Sequence, residues 1–92
     1  MKLRYTRRAA AELEEVLAHI EERSPIGADH VQVRIKGIID LLLRHPHVGQ
    51  LTSNRRLRRL VVSPYPYLIF YEVTRDEIVI HGVRHAARRP TN

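Results

Sequence analysis

Apolar residues recur at helical spacing in the first half of the chain and alternate with other residues in the second, so a helical segment should be followed by strands. Lys2 to Tyr5 sets Leu3 and Tyr5 on one side and predicts a short opening strand. Thr6 can cap a helix running to about Arg23, with Ala10, Leu13, Val16, Leu17 and Ile20 on one face and Glu12, Glu14, Glu15, Glu21 and Glu22 on the other. Ser24-Pro25 starts a second helix at once: serine accepts from first-turn amides, and proline at the first helical position loses no hydrogen bond. Ala28, Val31, Ile35, Ile38, Ile39 and Leu42 then hold the helical period until Pro46 ends the helix near His45. A link this short predicts an antiparallel helix hairpin. Val33, Leu41 and Leu43 fall off its buried stripe.

Residues Pro46 to Asn54 carry turn residues without a sustained period and are expected as a loop. Three strands follow, at about Arg56 to Ser63, Pro66 to Val73 and Glu77 to Arg84, joined by links short enough to make antiparallel hairpins. The expected fold class is α+β in the order β-α-α-β-β-β. It is a single domain spanning residues 1–92, with the helix hairpin on one face of a small antiparallel sheet.

Both faces of that sheet are apolar. In the middle strand Tyr67, Ile69, Tyr71 and Val73 oppose Leu68 and Phe70; beside it Leu57 and Val61 oppose Leu60 and Val62, and Ile78 and Ile80 oppose Val79 and Val83. Two helices can cover only one face, so the other should take a protein partner. Val33, Leu41, Tyr67, Ile69, Tyr71 and Val73 are the residues expected to receive it.

Charge changes this picture. Residues 1–46 hold eight Lys/Arg against seven Asp/Glu, a net of +1, whereas residues 47–92 hold eight Arg against three acids, a net of +5. The strand half is therefore the basic half, and arginine's planar fork suits phosphate or carboxylate. Arg56, Arg58, Arg59, Arg84, His85, Arg88 and Arg89 are the expected contacts to an anionic or acidic target. With 43% hydrophobic and 28% charged residues the composition is that of a folded domain rather than a disordered tail. The chain lacks cysteine, a membrane-length apolar run and the apolar centre of a secretory signal, and is expected to be cytoplasmic with no membrane partner.

Catalytic chemistry has few candidates. RNA cleavage would need a base, an acid and cations, and only His85 with Arg58, Arg59, Arg84 and Arg88 could supply them. The second half offers no lysine, and no glutamate is obviously placed with His85. His81 and His85 would point the same way on an extended strand, and His45 and His47 flank Pro46, yet no cysteine or convergent carboxylate joins them. No metal site is expected, and no cofactor, since there is no glycine-rich phosphate loop.

The order of these elements, with Arg58-Arg59-Leu60-Val61-Val62, then Tyr67-Leu68-Ile69-Phe70-Tyr71, then Val83-Arg84-His85-Ala86-Ala87-Arg88, resembles the ParE branch of the ParE/RelE toxin superfamily over almost the whole chain. The resemblance implies a type II toxin held inactive by a cognate antitoxin, expected to be ParD-like with a ribbon-helix-helix DNA-binding part. It further implies DNA gyrase as the target, with DNA met only through antitoxin or gyrase. RelE-like members instead cut messenger RNA on the ribosome, and the shared fold does not choose between them. The residues favour a non-enzymatic poison, with the endoribonuclease as the alternative.

Overall fold

The computed structural model describes residues 1–87. β1 (Lys2–Tyr5) leads into α1 (Arg7–Arg23), which Thr6 caps by accepting the Ala9 N–H on its hydroxyl at 3.0 Å. Ser24 serves both helices. Its N–H donates to Ile20 O at 2.8 Å to close α1, and its hydroxyl accepts the Gly27 N–H at 2.9 Å to open α2 (Pro25–Arg44). α2 stops at His45, ahead of Pro46, as proline requires.

Four strands follow: β2 (Gln50–Leu51), β3 (Arg58–Val61), β4 (Tyr67–Val73) and β5 (Glu77–His85). They form a five-stranded sheet in the order β1-β5-β4-β3-β2. The α+β layout is the expected one, with two differences in the sheet. β1 runs parallel to β5, Leu3 opposite Ile78 and Tyr5 opposite Ile80, so the sheet is mixed rather than wholly antiparallel. And the stretch 46–54 is not all loop: Gln50 and Leu51 pair with Arg59 and Arg58 as an added edge. β3 is shorter than the predicted strand because a turn occupies 52–57, with Thr52 N–H donating to Leu57 O at 3.2 Å, and another begins at Val62.

The helices cover the face that carries Tyr67, Ile69, Tyr71 and Val73. With Val62, Ile78, Ile80 and Val83 from the neighbouring strands, these pack on Val31, Ile35, Ile38, Ile39 and Leu42 of α2 and on α1 from Ala9 to Ile20. Leu43, which falls off the α2 period, packs against this core. Strict alternation would put Val83 with Val79, on the opposite side from Ile80. Instead the register slips by one residue: Tyr71 pairs Ile80 while Phe70 pairs Gly82, leaving His81 as the extra residue of a bulge. The slip returns Val83 and His85 to the helix-facing side and separates His85 from His81, which bonds Glu72 on the other face at 2.9 Å.

Candidate functional site: the outer face of the sheet

On the face away from the helices, strand register builds a small square. Arg59, Phe70 and Gly82 make one cross-strand row, and Val61, Leu68 and Arg84 the next. The two cations therefore stand at opposite corners of an apolar centre formed by Phe70 and Leu68, both half-buried. Gly82 has no side chain, so nothing on β5 stands beside Phe70 in its row. Arg84 lies over the Phe70 ring, 5.2 Å from its centroid, a cation–π contact. Around the square, residues 48–53 raise one wall and Arg84, His85 and Ala86 the other, enclosing an open groove of about 1010 Å³.

The wall of residues 46–50 is fastened from beneath. The buried Tyr71 hydroxyl donates to Pro46 O and accepts the Gly49 N–H, both at 2.8 Å. Arg58 donates to Gly49 O at 2.8 Å and to His47 O at 3.1 Å. A Cβ at Gly49 would lie 2.5 Å from the Tyr71 hydroxyl, so any larger residue there forces the ring or the loop to shift. Burial pushes the Tyr71 phenol above its ordinary 10.0, against the lowering effect of the Gly49 amide and of the nearby Arg58 charge.

The cations differ in how far their charge is met. Glu12 of α1 accepts the Val83 N–H at 3.0 Å, closing a donor on the open edge of β5, and its second oxygen lies 3.4 Å from Arg8 and 3.8 Å from Arg84. Arg56 pairs with Glu72 at 3.5 Å. Arg59 meets only the neutral Gln50 amide oxygen, at 3.2 and 3.3 Å, and among the described residues it forms no ion pair. It carries the least compensated charge of the groove.

The expected target-contact set is thus divided. Arg59 and Arg84 converge on the groove, His85 borders its rim with its ring turned to the helix side against Tyr67, Arg56 is exposed and pairs with Glu72, and Arg88 and Arg89 fall outside the described residues. Arg58 is a correction: it points to the helix side with Tyr71 and spends its guanidinium on loop carbonyls. His85 packs edge-on against Tyr67, ring centroids 5.3 Å apart, and its Nδ1 accepts the Ala87 N–H at 3.0 Å. The neutral ring therefore carries its proton on Nε2, so its free nitrogen is a donor and not a base.

The expected partner-binding set needs a second correction. Tyr67, Ile69 and Tyr71 are 8%, 1% and 0% exposed, sealed by this chain's own helices, and Val73 packs against the same core. Val33 is exposed and Leu41 half-buried on α2, on the other side of the molecule from the groove. On the sheet, the apolar residues open to a partner are instead Leu51, Val61, Leu68 and Phe70. Cross-strand register was the signal that could have found them: it gathers Arg59, Glu72, Gly82 and Arg84 on the face of Leu68 and Phe70, and that charged face is the one the helices leave open. No helix among the described residues is long and apolar enough to cross a membrane.

Comparison with known proteins places this geometry in a context. Residues 3–90 match the family model for the ParE toxin of the type II toxin-antitoxin system parDE. Y4kP of Sinorhizobium fredii is 36% identical over 85 residues, covering 92% of this chain and 88% of that protein. Toxin RelE2 of Caulobacter vibrioides is 39% identical over 84 residues, covering 91% and 93%. Among solved structures, a chain of the chromosomal ParDE system from P. aeruginosa superposes with a TM-score of 0.79 at 24% identity, covering 92% of this chain and 95% of that one, a likeness of fold.

Proposed function

The chain belongs to the ParE toxin family of type II toxin-antitoxin systems, with an antitoxin as its partner, and from that premise we propose that it arrests growth by poisoning DNA gyrase rather than by cutting RNA. The observation that carries this reading is the make-up of the groove: an apolar centre of Leu68 and Phe70 between Arg59 and Arg84, a surface suited to gripping an acidic macromolecule. Gyrase on its cleaved DNA is the target this reading assigns to the groove, and the chain meets DNA only through gyrase or antitoxin. The antitoxin is ParD-like, with a ribbon-helix-helix DNA-binding part and a tail that covers Leu51, Val61, Leu68 and Phe70.

A second reading, ribosome-dependent cleavage of messenger RNA, draws its support from His85 bordering the groove next to Arg84, although its ring turns to the helix side against Tyr67. The bond that occupies its Nδ1 weighs against it as a base. Two assays on the purified chain separate the readings. Supercoiling by gyrase is expected to be inhibited, with cleaved DNA accumulating, while messenger RNA on translating ribosomes stays intact. Normal supercoiling together with cut messenger RNA would reverse the assignment.

A further inference from the structure

We propose that the solvent face of α2 is a self-association surface on which a second copy of this chain lays its own α2 antiparallel. Ile26 and Val33 are 67% and 70% exposed, the two most exposed large apolar side chains among the described residues. They stand seven residues apart, so they form one stripe on the helix side turned away from the core. One turn beyond Val33 comes Gly37, where an added Cβ would meet nothing within 4 Å. The stripe thus reads as two apolar knobs followed by a notch.

Charge identifies the occupant. Asp29 and Lys36 are exposed, lie about 20° apart around the helix on the same flank of the stripe, and form no ion pair among the described residues. In an antiparallel pair related by a two-fold axis, like flanks meet in reversed order. With the axis near Gln32 and Val33, each Asp29 opposes the second copy's Lys36, Val33 packs on its counterpart, and Ile26 enters the notch at the second copy's Gly37. The face is complementary to itself, whereas the groove on the outer sheet face is bordered by Arg59 and Arg84 and calls for an anionic partner. With only two apolar residues per copy the contact is small, so association should be reversible and concentration-dependent.

Sedimentation equilibrium of the full chain, freed of antitoxin and followed from micromolar concentrations to roughly 1 mM, tests this. The wild type should shift from monomer to dimer. Val33→Asp should weaken dimerisation at least about tenfold with helicity and melting unchanged. Lys36→Asp alone should weaken it about tenfold, and the swap Asp29→Lys with Lys36→Asp should restore it to within about threefold. A monomer at every concentration, a dimer indifferent to Val33→Asp, or a swap that fails to restore would each overturn the proposal. So would a dimer abolished by Phe70→Asp and not by Val33→Asp, which would put the contact on the sheet.

Discussion

Removing a single oxygen from Tyr71 should loosen one wall of the groove and cost the protein a sizeable share of its stability. The hydroxyl accepts the Gly49 N–H and donates to Pro46 O, each at 2.8 Å, and both Tyr71 and Gly49 are buried. Two hydrogen bonds at about 1 kcal/mol net each, plus part of the penalty for a buried N–H without a partner, put the loss for Tyr71→Phe at about 2–3 kcal/mol. Arg58 still holds Gly49 O, so the loop should loosen without leaving the sheet. For a domain of this size the loss corresponds to a melting temperature lower by roughly 8–24 °C. Urea unfolding should show a lower midpoint with an unchanged slope, because the surface exposed on unfolding is the same. Hydrogen exchange at Gly49 should accelerate. Gly49→Ala attacks the same contact from the other side, through a Cβ only 2.5 Å from the hydroxyl, and should cost about 1–3 kcal/mol by overpacking. A loss below about 0.5 kcal/mol for Tyr71→Phe would refute the reasoning, since it would mean that both backbone groups find water without penalty.

Three further perturbations have defined outcomes. Tyr5 and Tyr71 titrate above the ordinary 10.0 because burial disfavours the phenolate. A raised folded-state pKa stabilises fully below the unfolded value and is lost as pH rises toward the folded one, so urea midpoints should hold to about pH 9 and fall above about pH 10; Tyr71→Phe should flatten part of that fall. Glu12→Ala leaves the Val83 N–H without its acceptor and should cost about 1–2 kcal/mol, with faster exchange at Val83 as the local readout. Leu42→Ala empties a site that is 0% exposed at the centre of the core and should cost about 2–5 kcal/mol in urea unfolding.

What the sequence revealed was whatever local chemistry determines. Thr6, Ser24, Pro25 and Pro46 mark helix ends through capping and backbone restriction, so the residues themselves bound α1 and α2. Alternation located β4 for the same reason. Pairings between distant segments were hidden: no local signal near Leu3 tells that Ile78 lies beside it, and a two-residue edge such as Gln50–Leu51 is too short to show a period. The one-residue slip at His81 was equally invisible, yet it decides on which side Val83 and His85 emerge. Alternation separated Tyr67, Ile69 and Tyr71 from Leu68 and Phe70 correctly, but both sets are apolar, and it could not say which one the helices would cover. Arg58 and Arg59 are neighbours of identical type. Only the return of the 46–50 loop beneath the sheet makes the first structural and leaves the second free to bind.

The central claim is that this toxin works through the grip of its outer sheet face and not through a proton taken by His85. Growth arrest on expression in cells, measured for Arg59→Gln/Arg84→Gln and for His85→Asn with each variant's melting temperature checked, tests it most directly. The account predicts that the double arginine variant folds and no longer arrests growth, while His85→Asn still does. Arrest that survives loss of both arginines but disappears with His85 would contradict it.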